Sequence, residues 1–239
     1  MVWKYLDTGR RSAAANMELD TALLSDLKDE REAILHLYDW EQDAATYGHF
    51  IDPSSFINME GVRKHQLDLA KRPTGGGIVF HNCDLAFSVL IPSTSEWFSS
   101  NPLDNYAFVN SRVVWAIGEM ISTPAILLPE EQPPLDEHCR RFCMAKPTKY
   151  DVMINGKKIG GAAQRKTRHG FLHQGSIALG LLPDPYIEDV LVGGTQVLEA
   201  MRQNSFTLLG SSWTDKALQD ARAQLRSLLQ KAFSDNYGL

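Results

Sequence analysis

Cysteine is scarce in this chain: three in 239 residues, Cys83, Cys139 and Cys143. An odd, sparse set argues against a disulfide framework and for a reducing compartment, so the cytoplasm is the expected location. No Cys-x-x-Cys pair occurs, and Cys139 and Cys143 have too few companions for a zinc knuckle. Positive charge is not in excess either. The formal net charge is −5, so no overall basic field draws the chain to nucleic acid or to an anionic membrane. No apolar run is long enough for a transmembrane helix, and the opening Met1-Val-Trp-Lys-Tyr-Leu-Asp lacks the apolar stretch of a signal peptide. Repeats and low-complexity tracts are missing, and no break in composition calls for a second domain.

What is present is an ordinary globular balance, 44% apolar and 22% charged. Residues 2–7 read as a short strand and 8–12 as a turn. Ser12 or Asn16 caps a helix over 14–28 with Met17, Leu19, Leu23, Leu24 and Leu27 on its apolar face. A strand follows over 33–38, then a loop over 43–53 and a polar helix over 53–70. Ile78–Phe80 and Leu85–Pro92 read as strands, 93–104 as a mobile surface connection, and 105–121 as an amphipathic helix. Residues 129–137 read as an exposed loop. Asn155-Gly156 between 150–154 and 157–163 is the strongest hairpin signal in the chain. Another apolar strand spans 170–179, and Asp215–Phe233 is the clearest helix.

Four constellations carry chemistry. The first is Lys71-Arg-Pro-Thr-Gly-Gly-Gly-Ile-Val-Phe-His-Asn82. Gly75, Gly76 and Gly77 leave backbone N–H groups open to an anion or a thin ligand, and Arg72 offers a planar charged fork. A glycine-rich hairpin with no ligand is the alternative. The second is Lys157-Lys-Ile-Gly-Gly-Ala-Ala-Gln164, where Lys158 stands on a strand among small residues with room for a carboxylate; a solvated strand lysine is the alternative. The third is Cys143, flanked by Arg140, Arg141 and Lys146, whose charges lower a thiol pKa; the alternative is a half-buried cysteine without a role. The fourth is Arg165-Lys-Thr-Arg-His169, a solvated loop or a patch for an acidic partner or a nucleotide phosphate.

Arg72-Pro-Thr-Gly-Gly-Gly-Ile-Val-Phe-His81 followed by Gly156-Lys-Lys-Ile-Gly-Gly-Ala-Ala163 resembles the lipoate–protein ligase A family. The pattern Asp7-Thr-Gly…Asn16-Met-Glu-Leu-Asp20 and Leu35-His-Leu-Tyr-Asp-Trp40 is similar to its N-terminal part. The resemblance implies an α/β (α+β) fold shared with biotin protein ligases and class II synthetases: a mixed, largely antiparallel sheet flanked by helices, as a single domain over 1–239 without an accessory C-terminal domain. It implies activation of lipoate by ATP and Mg2+ to lipoyl-adenylate. Transfer then follows to a lysine of a carrier, the lipoyl domains of 2-oxoacid dehydrogenase E2 subunits or the glycine-cleavage H protein. By the same resemblance Lys158 holds the carboxylate and the mixed anhydride. Arg72, Thr74, Gly75, Gly76, Gly77, His81, Gly160, Gly161, Ala163 and His173 bind lipoate and nucleotide. Asp151 helps with both nucleotide and metal. A monomer is expected, served by a separate accessory ligase domain where one is needed.

The pattern departs from the ligases at Tyr150, where they carry asparagine. Cys143-Met-Ala-Lys-Pro-Thr-Lys-Tyr150 and Leu172-His-Gln-Gly-Ser-Ile177 are similar instead to the octanoyltransferase branch of the superfamily. In that branch the cysteine takes octanoate from acyl carrier protein as a thioester, without ATP. That branch usually has arginine at the position of Gly77. Gly77, Asp151 and Ile159 favour the ligase, a reading that leaves Cys143 without a role. A non-catalytic acyl- or carrier-binding module is the third reading, with biotin ligase a weaker enzyme alternative.

Overall fold

The structure, a computed structural model, describes residues 2–27, 32–130 and 147–234. Its frame is a seven-stranded sheet in the order β1-β2-β6-β10-β9-β8-β7. The strands are β1 (Val2–Arg11), β2 (Glu32–Trp40), β6 (Asp84–Pro92), β7 (Ala125–Leu127), β8 (Val152–Ile154), β9 (Lys157–Thr167) and β10 (Gly170–Ala178). Only β1 and β2 run parallel, joined by a crossover through α1 (Ala13–Asp26); every other neighbouring pair is antiparallel. A small sheet, β4-β3-β5, is built from β3 (Ala44–Tyr47), β4 (Asp68–Lys71) and β5 (Ile78–Phe80). The mixed, mostly antiparallel sheet flanked by helices is the architecture the sequence led us to expect.

The two central strands, β6 and β10, are buried at every residue, yet their two faces differ in chemistry. On one face Leu85, Phe87, Val89, Ile91, Phe171 and Ile177 pack beneath α3 (Pro102–Gly118) and α6 (Asp215–Ser234). Helix α6 contributes Leu218, Leu225, Leu229 and Phe233 to this core. Each such side chain contributes about 1.5–3 kcal/mol on burial. The other face meets α1. It is apolar at one end, where Ile34, Leu90 and Leu172 meet Leu24 and Leu27. It becomes polar toward the other end, with His36, Ser88, Gln174 and Ser176, all buried. A period of two places these polar side chains on one face, and they form one wall of the candidate site. A second cluster beneath the small sheet joins Phe56, Ile57, Val62 and Ile78 to α4 (Asp184–Val190) and α5 (Gly194–Asn204).

Local signals held where a cap or turn was specific. Ser12 caps α1, its hydroxyl accepting from the Ala15 N–H at 3.3 Å. Asn155 and Gly156 adopt φ of 50° and 74°, the left-handed pair of a tight hairpin turn. Helix α3 starts earlier than its apolar period indicates, because Asn101 caps it and Pro102 begins it.

Several expectations are overturned. Residues 8–11 are not a turn: β1 continues to Arg11, with a bulge between Asp7 and Arg10 that Gly9 accommodates at φ 65°. The loop expected over 43–53 contains β3, which pairs with β4 and β5. The helix expected over 53–70 is a 3-10 turn at Pro53–Ser55 and a short α2 (Met59–Lys64), followed by β4. Asn58 caps α2, and Gln66 at φ 50° ends the turn after it. Strands β5 and β6 lie in different sheets, so the glycine-rich run is no hairpin. The segment over 93–101 is anchored rather than loose: Ser95 is buried and Trp97 stacks on Trp3 with ring centroids 5.0 Å apart. Arg165–Thr167 belong to β9 rather than to a loop. The expected loop over 129–137 lies mostly outside the described residues. Among the described residues no helix is long and apolar enough to cross a membrane.

Candidate functional site

The glycine run spans the gap between β4 and β5. Arg72 is 4% exposed and braces this loop from within. Its Nε and Nη2 donate to the Gly75 carbonyl at 3.1 and 2.7 Å, and its Nη1 to the Thr46 carbonyl at 3.0 Å. The guanidinium that the resemblance placed beside a phosphate thus braces the loop and also lines the cavity. The loop is also fixed by the His49 N–H on the Thr74 carbonyl at 2.8 Å. Gly76 sits at φ 88°, and a Cβ on Gly48 would overlap its carbonyl oxygen. Glycine is therefore required at both positions for the loop to approach β3 so closely.

Across the cavity stands Lys158, 2.7 Å from Asp151 Oδ2, with both side chains 4% exposed. Asp151 Oδ2 also accepts from the Thr148 N–H and hydroxyl, at 2.6 and 2.9 Å. The turn that presents Asp151 passes through Tyr150 at φ 67°, a costly conformation for a non-glycine residue. The Asn110 side chain of α3 holds it by donating to the Tyr150 carbonyl at 2.7 Å. Gly161 leaves the space that Lys158 fills: a Cβ there would lie 2.6 Å from Lys158 Nζ. Gly161→Ala should therefore displace the ammonium. We expect turnover to fall by about 100-fold, the effect of a misplacement near 1 Å, with the melting transition of the variant checked beside its steady-state rate.

Between loop and lysine lies a cavity of about 190 Å³. Gly76, Gly77, Arg72, His81, Lys158, Gly161 and Ala163 all line it. Thr74 and Gly75 stand behind this lining within the loop, and Asp151 touches it through Lys158. Gly160 turns toward Val152 and the Ser176 carbonyl. His81 uses both ring nitrogens, Nδ1 on Asp84 Oδ2 at 2.8 Å and Nε2 on Thr46 Oγ1 at 2.9 Å, and its ring stacks on Trp40. Ser176 donates to the same Asp84 oxygen at 2.6 Å.

His173 is the exception among the expected ligand-binding residues. It projects from the opposite face of β10, packed against Phe87 and Tyr106 under α3. Burial pushes its imidazole down to about 3, so it stays neutral, with Nδ1 paired to the Gln164 amide. Its neighbour Gln174 faces the cavity in its place, and strand alternation is the signal that separates them. Met17, Tyr38, Gln174 and Ser176 also line the cavity; the sequence showed them only on a helix face or within a longer pattern and gave none of them a site role. Burial and the nearby Asp20 carboxylate raise the Tyr38 phenol well above its usual range. Cys143 lies outside the described residues.

The metal role expected of Asp151 meets a poor fit. Its Oδ2 already takes three donors, Lys158 and two from Thr148. Among the described residues no group of three His, Cys, Asp or Glu side chains converges to hold an ion.

Residues 12–191 match the family described as lipoyl protein ligase A/B catalytic domain. The chain is 27% identical over 239 residues to the octanoyltransferase LipM of Halalkalibacterium halodurans, covering 98% of this chain and 85% of that one. It is 27% identical over 206 residues to the octanoyltransferase LipM of Bacillus subtilis, covering 84% and 74%. Among solved structures it is similar to a bipartite lipoate protein ligase from Thermoplasma acidophilum, with TM-score 0.68, 19% identity and coverage of 100% and 95%. The last comparison speaks to the fold alone.

Proposed function

This chain belongs to the lipoyl protein ligase A/B catalytic domain family, and we propose that within it the protein is an octanoyltransferase. It takes an octanoyl group from acyl carrier protein and passes it to a carrier-domain lysine. The observation that carries this reading is the similarity to octanoyltransferases across nearly the whole chain. This departs from the ligase that Gly77 and Asp151 favoured on sequence alone. Gly77 keeps that reading as the second one, with lipoate, ATP and Mg2+ as its substrates.

In the proposed reaction the Cys143 thiolate attacks the octanoyl thioester carbonyl, and the carrier thiolate leaves and takes up a proton. An octanoyl thioester now sits on Cys143. The neutral amine of the acceptor lysine attacks it, the amide bond forms as the carbon–sulfur bond breaks, and the proton lost from the amine balances the departing cysteine thiolate. The acceptor is a lipoyl domain of a 2-oxoacid dehydrogenase E2 subunit or the glycine-cleavage H protein. Cys143 precedes Thr148, a cavity residue, by only five positions, a covalent reach of at most about 17 Å. The Lys158 ammonium, fixed by Asp151, stabilises the oxyanion in both steps without reorganising. The donor is already an activated thioester, so the cycle needs no ATP.

Two parallel incubations test this. With octanoyl-carrier protein and apo lipoyl domain, and no nucleotide, the domain should gain the mass of one octanoyl group. With lipoate and Mg-ATP it should gain nothing. Lipoylation with pyrophosphate release in the second incubation, and no transfer in the first, would establish the ligase instead.

A further inference from the structure

We propose that Met17 and the side-chain amide of Gln174, clamped by the buried Asp20, form the end wall that limits the acyl chain to about eight carbons. This deepens the acyl-transfer reading and rests on it for the identity of the tail.

Lys158 marks one end of the cavity, on β9. Met17 and Tyr38 mark the other, where α1 crosses β2 and β6. Two strand spacings, about 10 Å, separate β9 from β6. An extended eight-carbon chain, with bonds of about 1.5 Å, spans about 9 Å. Gly161, beside the Lys158 ammonium, is in register with Ser176 and Ala86 across these strands, so a tail whose carbonyl lies at Lys158 reaches Met17, packed on Ala86, near its last carbon, with Gln174 of the intervening strand held against Met17 at its side.

This wall is held unusually firmly. Gln174 Nε2 donates to Asp20 Oδ2 at 2.6 Å and contacts Met17 Sδ at 3.3 Å, while its Oε1 accepts from the Thr74 hydroxyl at 2.7 Å. Asp20 Oδ2 also accepts from Ser88 at 2.6 Å, and Asp20 Oδ1 pairs with His36 Nδ1 at 2.8 Å. His36 Nε2 is in turn 2.9 Å from the Thr8 hydroxyl. Asp20, His36 and Ser88 are each 0% exposed. Rotating Gln174 to admit a longer tail would leave several buried polar groups without partners, the costly outcome in a dry interior. A flexible apolar wall would yield; this network does not. The same bonds tie Gln174 to the glycine loop through Thr74, so the end wall and the loop keep one geometry.

Met17→Ala removes the apolar half of the wall. Asp20→Asn turns the charge-assisted bonds that Asp20 accepts from Gln174 and Ser88 into neutral ones and weakens the clamp. In the transfer assay, donors of six, eight, ten and twelve carbons should show the dodecanoyl-to-octanoyl ratio of kcat/KM rising about 10-fold or more in Met17→Ala. Met17→Leu should restore the original preference, and Asp20→Asn should flatten the profile. Binding of the free saturated fatty acids to the same proteins, read by calorimetry, reports the wall without any transfer step, and thermal melts check that each variant is folded. An unchanged length preference in both Met17→Ala and Asp20→Asn, in transfer and in binding, would overturn the proposal. A shifted binding profile in a protein that transfers no acyl group would keep the end wall and remove the octanoyltransferase reading.

Discussion

Lys158→Ala should lower acyl transfer by about 100- to 1,000-fold, the loss typical when a preorganised oxyanion partner is removed. The ammonium is buried, paired to Asp151 at 2.7 Å, and set against the cavity by the space Gly161 leaves. Alanine removes the positive charge but also strands a buried carboxylate. That costs about 3–5 kcal/mol of stability when one member of such a pair is deleted. The two effects separate in the double variant Lys158→Met with Asp151→Asn. It should recover much of the lost stability, read by denaturant unfolding, and none of the lost activity. If the double variant recovers turnover as well, Lys158 acts on the fold and not on the reaction.

Cys143→Ser should lower transfer from octanoyl-carrier protein to the level of background aminolysis, a loss on the order of 1,000-fold or more for a covalent nucleophile that acts as a unit with its partners. Cys83→Ser should retain transfer. Burial pushes the Cys83 thiol up to about 12, and its sulfur donates to the Gly180 carbonyl at 3.1 Å. A thiol held that high is a poor nucleophile at physiological pH. Cys139→Ser completes the comparison. Steady-state rates with all three serine variants read the result, and undiminished transfer by Cys143→Ser would remove the cysteine from the pathway.

The sequence made the chemistry more legible than the connections. Lys158, Gly76, Gly77, His81, Gly161 and Ala163 converge on one cavity because each belongs to a local pattern that fixes its own backbone. Asn155-Gly156 sets the hairpin that delivers Lys158, and the glycines allow close approach. The small sheet was illegible. Strands β3 and β4 are four residues each, and their existence depends on pairing with each other and with β5 rather than on any internal period. For Arg72, residue type reveals the charge but not that the Thr46 and Gly75 carbonyls engage it. His173 and Gln174 are neighbours, and only the register of β10 tells which of them faces the cavity. In the sequence Asp20 stands only as the end of the Asn16-Met-Glu-Leu-Asp20 pattern, and its place in a buried network shows only when His36 and Ser88 are seen to close over it.

The proposed acyl transfer passes through a covalent thioester without nucleotide. Intact mass spectrometry of the protein after mixing with octanoyl-carrier protein tests it most directly. A single octanoyl adduct is expected, formed without ATP, present in Cys83→Ser and Cys139→Ser, absent in Cys143→Ser, and discharged when apo lipoyl domain is added. An unmodified protein that lipoylates the domain only with lipoate and Mg-ATP would contradict it.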